Sequence, residues 1–172
     1  LDVMAARGTP FVGLLYCGLA LTSRGTRVVE FNARFGDPET QALLPLLETP
    51  LGALLLAAAT GRLAQFGPLT WADGASVAVV MAAAGYPGTP EKGGAIVLPP
   101  DTDDVHVIQA GTAVVDGGLV ADGGRVLAVV GRGDDLAQAR DRAYRHIDAI
   151  DFASGFCRSD IALRASLPAD HL

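Results

Sequence analysis

One short stretch constrains the fold more than any other part of the chain. Residues 28–39 read VVEFNARFGDPE, a β-branched run that passes into alternation and then into a helix start. The run predicts a strand, and its period of two places Glu30 and Asn32 on one face and Val29 and Phe31 on the other. The sequence therefore predicts a strand with an apolar face and a polar face that is either solvated or part of a site.

The polar face has the chemistry of a divalent-cation site. The Cβ atoms of Glu30 and Asn32 would lie about 6–7 Å apart, and carboxylate and amide oxygens suit hard ions such as Mg²⁺. An isolated E-x-N pair is more often a solvated strand face. Arg34, Gly36 and Asp37 follow, and they add an anion-binding side chain, an approachable backbone and a helix cap. Together these residues predict a place for a metal ion, a phosphate and a small zwitterion.

Composition excludes several classes of protein. The chain has 172 residues, half of them hydrophobic, with a net charge of −6. The length suits one sizeable domain or two small ones, and the acidic balance argues against a nucleic-acid binder. No apolar run reaches the ~18 residues of a membrane span. Cys17 and Cys157 lie far apart and predict two free, buried thiols in a reducing cytoplasm.

The pattern along the chain predicts two parts. The first has a hairpin of two strands, Pro10–Leu21 and Arg27–Asn32, followed by a helix starting at Asp37-Pro38 and a second helix over Leu51–Thr60. After about residue 65, short strands alternate with Gly-rich turns. These strands are expected at Ser76–Ala84, Gly94–Leu98, Val105–Ala110, Thr112–Val115 and Arg125–Val130. A helix capped by Asp134 or Asp135 should then run to about Ile150.

At this point the sequence resembles a known family, the phosphoribosylamine–glycine ligases, also called glycinamide ribonucleotide synthetases. Val29–Gln41 is similar to the signature of that family, and further motifs follow in the family's order over nearly the whole chain. These motifs are Gly13–Leu19, Val80–Gly88, Ala110–Thr112, Gly123–Val129, Arg142–Tyr144 and Phe156–Ile161. Ordered motifs over such a length are much more specific than any one of them alone.

The resemblance implies an α+β fold in two domains. Residues 1–64 would be the C-terminal part of an ATP-grasp catalytic domain. Residues 65–172 would be a small domain with a mixed β-sheet or partial barrel and a covering helix. The chain begins at Leu1 rather than Met, and we interpret it as a fragment, inactive alone, whose partner is the missing N-terminal part of the same enzyme.

The resemblance also implies an activity and its site residues. The family joins glycine to 5-phosphoribosylamine with ATP and Mg²⁺ or Mn²⁺, through a glycyl phosphate, in purine biosynthesis. Glu30 and Asn32 would be the metal ligands, and Arg34 would be the catalytic cation that holds either the γ-phosphate or the glycine carboxylate. Gly36 would let the backbone approach the anion. Asp37 would either pair with the glycine ammonium or cap its helix.

Two departures from the family pattern leave alternatives open. Many ATP-grasp enzymes have a further acidic ligand on the preceding strand, where this chain has Leu15, Tyr16 and Cys17. The metal site therefore has one carboxylate or takes another from outside the chain. Gln109 stands where the family usually has His.

The alternative functions are another ATP-grasp carboxylate–amine ligase and a non-catalytic β-rich interaction module.

Overall fold

A computed structural model describes residues 1–167 of the chain. In chain order the elements are α1 (Asp2–Ala6), β1 (Tyr16–Thr22), β2 (Gly25–Asn32), α2 (Glu39–Leu43), α3 (Leu51–Ala59), β3 (Ala75–Ala83), β4 (Ala95–Ile96), β5 (Val105–Gln109), β6 (Thr112–Val115), β7 (Gly118–Ala121), β8 (Arg125–Gly133), α4 (Leu136–Ile147) and β9 (Gly155–Phe156). The chain forms two compact units. Unit 1 comprises residues 1–40 and 47–72, and unit 2 comprises residues 41–46 and those from 73 onward.

The predicted hairpin forms the centre of unit 1. Strands β1 and β2 pair antiparallel, and the last pair, Thr22 and Gly25, encloses a two-residue loop. The Thr22 hydroxyl donates a 2.7 Å hydrogen bond to the Gly25 carbonyl and accepts one from the Arg24 amide. Gly25 has a φ of 88°, a left-handed conformation that glycine adopts without steric cost. The turn residues thus set the register of the two strands.

An irregularity in this register gives the hairpin one apolar face. Phe31 lies opposite Cys17, and a shift between Gly18 and Leu19 brings Val28, rather than Val29, opposite Leu19. Directly opposite residues share a face, as do alternate residues along a strand. Cys17, Leu19, Val28, Val29 and Phe31 therefore all lie on one face. Each of these side chains is exposed. The prediction that the Cys17 thiol is buried is therefore wrong, because it lies on this open face of the hairpin.

Two helices follow the hairpin in unit 1 or at its boundary. Helix α2 begins at Glu39, one residue later than predicted, after a cis peptide bond between Asp37 and Pro38. Helix α3 matches its prediction, and Gly61, with a φ of 69°, follows its C-cap. Thr49, which precedes α3, is buried, and its hydroxyl accepts a 2.7 Å hydrogen bond from the amide of Thr70, which follows α3.

Unit 2 is built on a four-stranded sheet covered by α4. The strand order is β5-β8-β3-β9, with every pairing antiparallel. The first free amides of α4 are capped by Asp135, whose carboxylate accepts a 2.8 Å hydrogen bond from the Gln138 amide, as the sequence predicts. The helix packs its small buried residues, Ala139 and Ala143, against β8, where Gly131 lets the two backbones approach closely.

A second sheet and the core complete unit 2. Strands β4, β7 and β6 form a three-stranded antiparallel sheet in the order β4-β7-β6. The core contains the largest fully buried side chains of the described residues, which are Leu127, Val79, Val126, Val129 and Val130. The β-branched side chains of the four valines suit a sheet that is buried on both faces.

The predicted α+β class is confirmed. Strand β1 begins at Tyr16 rather than at Pro10, and strand β8 continues to Gly133 rather than ending at Val130. Further differences lie in the short elements. Helix α1 and strands β7 and β9 were not predicted, because each has five residues or fewer and little periodicity. Helix α4 ends at Ile147 rather than near Ile150. Among residues 1–167, no helix has both the length and the apolar character needed to cross a membrane.

Candidate functional site

The structure brings Glu30 and Asn32 together on the polar face of the hairpin. The Asn32 amide nitrogen donates a 2.8 Å hydrogen bond to Glu30 Oε1. This bond turns the amide so that its nitrogen faces Glu30, and it leaves the second carboxylate oxygen and the amide oxygen as the remaining acceptors of the pair. Across the ladder, Tyr16 lies opposite Asn32 and Gly18 lies opposite Glu30. The site therefore includes part of β1 as well as β2.

Tyr16 connects this pair to a second carboxylate. A Cβ atom added to Gly18 would lie 3.2 Å from Glu30 Cγ and 3.5 Å from Tyr16 Cε1. A Cβ atom added to Gly36 would lie 3.2 Å from Tyr16 Cδ2 and 2.5 Å from Glu39 Oε2. One edge of the tyrosine ring thus lies near Glu30, and the other edge lies near Glu39.

The electrostatics of Tyr16 agree with this placement. Burial of its ring raises the pKa of Tyr16, and a hydrogen bond to the Glu39 carboxylate and the negative charges of Glu39 and Glu30 raise it further. A raised pKa keeps the Tyr16 phenol protonated.

The other predicted site residues lie in the loop between β2 and α2. Arg34 is exposed, and its Nη1 donates a 2.7 Å hydrogen bond to the neighbouring Phe35 carbonyl. Gly36 is buried, and its carbonyl accepts from the Thr40 amide in the first turn of α2. Asp37 is exposed and lies two residues before α2.

The donor set of the polar face fits a hard divalent cation. Carboxylate and amide oxygens are ligands that Mg²⁺ prefers, and Mg²⁺ is usually held by only one or two carboxylates, with waters and phosphates completing its shell. Within residues 1–167, no group of three or more His, Cys, Asp or Glu side chains is arranged to hold a metal ion. Glu30 and Asn32 can thus supply part of a coordination sphere, which agrees with a metal shared with a nucleotide.

Sequence reasoning missed Tyr16 and Glu39 as members of this cluster. Tyr16 stood out only as a non-acidic residue on the preceding strand, and Glu39 only as an acidic residue in the first turn of a helix. The available signal was the predicted hairpin itself, since its register pairs Tyr16 with Asn32.

Family models match both ends of the chain. The model described as "Phosphoribosylglycinamide synthetase, C domain" matches residues 76–164, and the model described as "Phosphoribosylglycinamide synthetase, ATP-grasp (A) domain" matches residues 1–40. The second match contains the hairpin and the Glu30–Asn32 pair. The first match contains the sheet of unit 2 and α4.

Curated relatives and solved structures agree with the family models. A phosphoribosylamine–glycine ligase of Streptomyces coelicolor is 54% identical over 170 residues, which are 96% of this chain and 41% of the relative. One of Mycobacterium tuberculosis is 56% identical over 164 residues, covering 95% of this chain and 38% of the relative. The chain therefore spans about two-fifths of the length of these relatives.

The crystal structure of phosphoribosylamine–glycine ligase from Thermotoga maritima matches with a TM-score of 0.80 and 36% identity, over 92% of this chain and 39% of that chain. The biotin carboxylase domain of Hydrogenobacter thermophilus 2-oxoglutarate carboxylase, solved with MgADP, matches with a TM-score of 0.63 and 14% identity, over 91% of this chain and 35% of that one. At that identity the second match concerns the fold alone.

Proposed function

The chain belongs to the phosphoribosylglycinamide synthetase family, and we propose that it forms the C-terminal part of an enzyme that ligates glycine to 5-phosphoribosylamine. The observation that carries this proposal is the Glu30–Asn32 pair, hydrogen bonded at 2.8 Å on the polar face of the hairpin. Arg34 follows in the loop between β2 and α2. These side chains match the chemistry that an ATP-dependent carboxylate–amine ligase requires.

The proposed reaction has two steps. A carboxylate oxygen of glycine attacks the γ-phosphorus of ATP, the bond to the β-phosphate oxygen breaks, and ADP leaves a glycyl phosphate. The amine of 5-phosphoribosylamine then attacks the acyl carbon, the carbon–oxygen bond to phosphate breaks, and the amine proton passes to solvent. The products are glycinamide ribonucleotide, ADP and phosphate.

We assign each site residue a role in these steps. Glu30 and Asn32 would hold Mg²⁺ or Mn²⁺, which supplies Lewis-acid neutralisation of phosphate charge when bound. The planar guanidinium group of Arg34 has several N–H donors and would hold the γ-phosphate or the glycine carboxylate. Gly36 would allow close approach of the backbone to that anion. Asp37 would pair with the glycine ammonium or order the start of α2.

The domain assignment and the missing partner belong to the same proposal. Residues 1–64 would complete an ATP-grasp domain, and residues 65–172 would be the small C-terminal domain. The apolar face of the hairpin supports a partner, because Leu19, Val28, Val29 and Phe31 are between 54% and 71% exposed. Contiguous exposed apolar surface marks interaction sites, and we propose that the N-terminal part of the enzyme buries this face. We place the reaction in the cytoplasm.

A reconstituted enzyme tests the function. We define it as the N-terminal part of the Streptomyces coelicolor relative, fused before Leu1 of this chain. It should form glycinamide ribonucleotide and ADP with glycine and 5-phosphoribosylamine generated in situ, whereas this chain alone should not. Turnover with a different carboxylate or amine, but not with glycine and phosphoribosylamine, would favour another ATP-grasp ligase. No nucleotide-dependent chemistry at all would favour an interaction module.

Substitution of the first metal ligand tests the site. Glu30→Ala in the reconstituted enzyme should lower kcat/KM at least about 100-fold, because metal neutralisation of phosphate charge contributes several kcal/mol. Glu48→Ala, which removes an exposed carboxylate outside the hairpin, is the matched control and should retain activity. Near-normal turnover of the Glu30→Ala enzyme would remove Glu30 from the metal site.

A further inference from the structure

An irregular segment of unit 2, residues 157–163, lies against α4, and we call it the strap. It follows β9 and belongs to no helix or strand. Its residues Cys157, Ile161 and Ala162 pack against the core of unit 2. A segment without regular structure must find partners for its backbone N–H and C=O groups outside a helix or a strand ladder. The partners of the strap therefore decide how firmly it is held.

Two side chains of α4 hold the strap by its backbone. Arg140 donates from Nε to the Ile161 carbonyl at 3.0 Å and from Nη2 to the Ser159 carbonyl at 2.6 Å. The Tyr144 hydroxyl donates to the Arg158 carbonyl and accepts from the Ile161 amide at 3.2 Å. Three carbonyls and one amide within four consecutive residues are thus bound by this pair of side chains, which we call the clamp.

The two members of the clamp also orient each other. Arg140 and Tyr144 are one helical turn apart, so their side chains are neighbours on the surface of α4. The Arg140 guanidinium lies over the Tyr144 ring, 4.5 Å from its centroid, and only 18% of the Arg140 side chain is exposed. Loss of either side chain should therefore weaken the hold of the other on the strap.

The strap contains one strained residue next to the clamp. Ala162 has a φ of 56°, in the left-handed region that glycine adopts freely and that is unfavourable for a residue with a Cβ atom. Such conformations persist only where the surrounding structure holds them. Ile161, the residue before it, has both its backbone N–H and its C=O bound by the clamp. The clamp thus holds a conformation that a released strap would leave.

We propose that the strap opens from α4 as one unit while the sheet of unit 2 stays folded, and that the clamp controls this opening. Hydrogen bonds to a few side chains hold the strap, whereas a ladder of backbone hydrogen bonds joins β3 to β8, so the strap is the less stable of the two. Opening releases the strain at Ala162 and uncovers Cys157. The opening does not depend on the ligase activity proposed above, because it involves residues of unit 2 alone.

The rate at which iodoacetamide alkylates Cys157 in the full chain, followed by mass spectrometry, measures the opening, because the half-buried thiol reacts from the open state. The exposed Cys17 serves as the internal reference. Tyr144→Phe removes the hydroxyl and keeps the ring beneath Arg140. We expect it to raise the Cys157 rate about tenfold, since two hydrogen bonds of ordinary strength are lost. Arg140→Lys keeps the charge but cannot bind two carbonyls from one planar group, and it should raise the rate by a similar factor.

A variant with the opposite effect separates strap opening from general loosening. Ala162→Gly relieves the left-handed strain of the closed strap, and this gain exceeds the extra freedom that glycine gives the open strap, so the Cys157 rate should fall about threefold. Tyr86→Phe is the matched control for Tyr144→Phe, since it removes a tyrosine hydroxyl that accepts a 3.0 Å hydrogen bond from Arg125 Nε away from the strap. That variant should leave the rate within about twofold of wild type.

A core variant tests whether the opening is local. Val129 lies in β8 and is completely buried, so Val129→Ala should destabilise the sheet and speed hydrogen exchange of β8 peptides. If the strap opens alone, the Cys157 rate of this variant should stay within about twofold of wild type. A Cys157 rate that rises in proportion to exchange of β8 would overturn the proposal, because the thiol would then react only after the sheet opens. A Tyr144→Phe rate equal to that of wild type would overturn the role of the clamp.

Discussion

The contact between α4 and β8 makes a sharp prediction about Gly131. A Cβ atom at this position would lie 2.8 Å from the Ala143 amide nitrogen and 3.1 Å from Ala143 Cβ, and closer still to the Ala139 carbonyl oxygen. Two of these three neighbours are backbone atoms of the helix, so no side-chain rotation can relieve the overlap. Gly131→Ala must therefore push α4 away from the sheet or bend β8.

The expected cost follows from this geometry. Overpacking a closely packed core by a methyl group costs about 1–3 kcal/mol, and Gly131 lies among buried residues of β8. Gly118→Ala is the matched control, because Gly118 also lies in a strand and a Cβ atom there would meet only the Val115 carbonyl oxygen at 3.6 Å. Replacing an unstrained glycine by alanine stabilises by about 0.4–1 kcal/mol. The free energies of unfolding of the two variants should thus differ by about 1.5–4 kcal/mol.

Hydrogen exchange followed by mass spectrometry measures the difference in unit 2 itself. Peptides that cover β8 and α4 report the free energy of opening of this sheet and helix without contributions from unit 1. Gly131→Ala should lower the free energy of opening of these peptides, and Gly118→Ala should leave it unchanged or raise it slightly. Free energies equal within about 0.5 kcal/mol in the two variants would refute the close approach of α4 to β8.

Two predictions concern titratable groups of unit 2. The paired hydrogen bonds from Arg158 hold the pKa of Asp160 below 3.8; the pair therefore stabilises the fold above the unfolded pKa, and this contribution is lost as the pH falls through the lowered folded value. Carboxyl chemical shifts should show this low pKa, and Arg158→Ala should return it toward 3.8; an unmoved value would contradict the pairing. Burial, followed by the charge of Asp148, raises the pKa of the Cys157 thiol, so iodoacetamide at pH 8 should alkylate it more slowly than the exposed Cys17. Mass spectrometry of both peptides gives the rates, and equal rates would contradict the burial of Cys157.

The hairpin shows how far sequence reasoning reached. Alternation along β2 predicted that Glu30 and Asn32 would share a face, and the structure joins them by a hydrogen bond. The pairing of β1 with β2 was predicted from the turn residues. Val28 could not be assigned from alternation, because simple periodicity places it with Glu30. The register shift moves it to the apolar face, and such a shift depends on the partner strand.

Unit 2 shows the same division between local and long-range information. The cap at Asp135 and the apolar spacing of α4 are local patterns, and both appear in the structure as predicted. The pairing of β7 with β4 and β6, rather than with β8 across a Gly-rich turn, is not local. Short strands carry too little periodicity for sequence to choose between such partners.

The sequence by itself determined the family, the α+β class and the residue types of the site, because these are written in periodicities and motifs that span a few residues. Only the tertiary structure decided which side chains meet. Tyr16 and Glu39 are 23 positions apart in the printed chain, and they meet because a strand register and a loop with a glycine at position 36 bring them together. No local pattern encodes that contact, since the free energy that selects it comes from packing between elements.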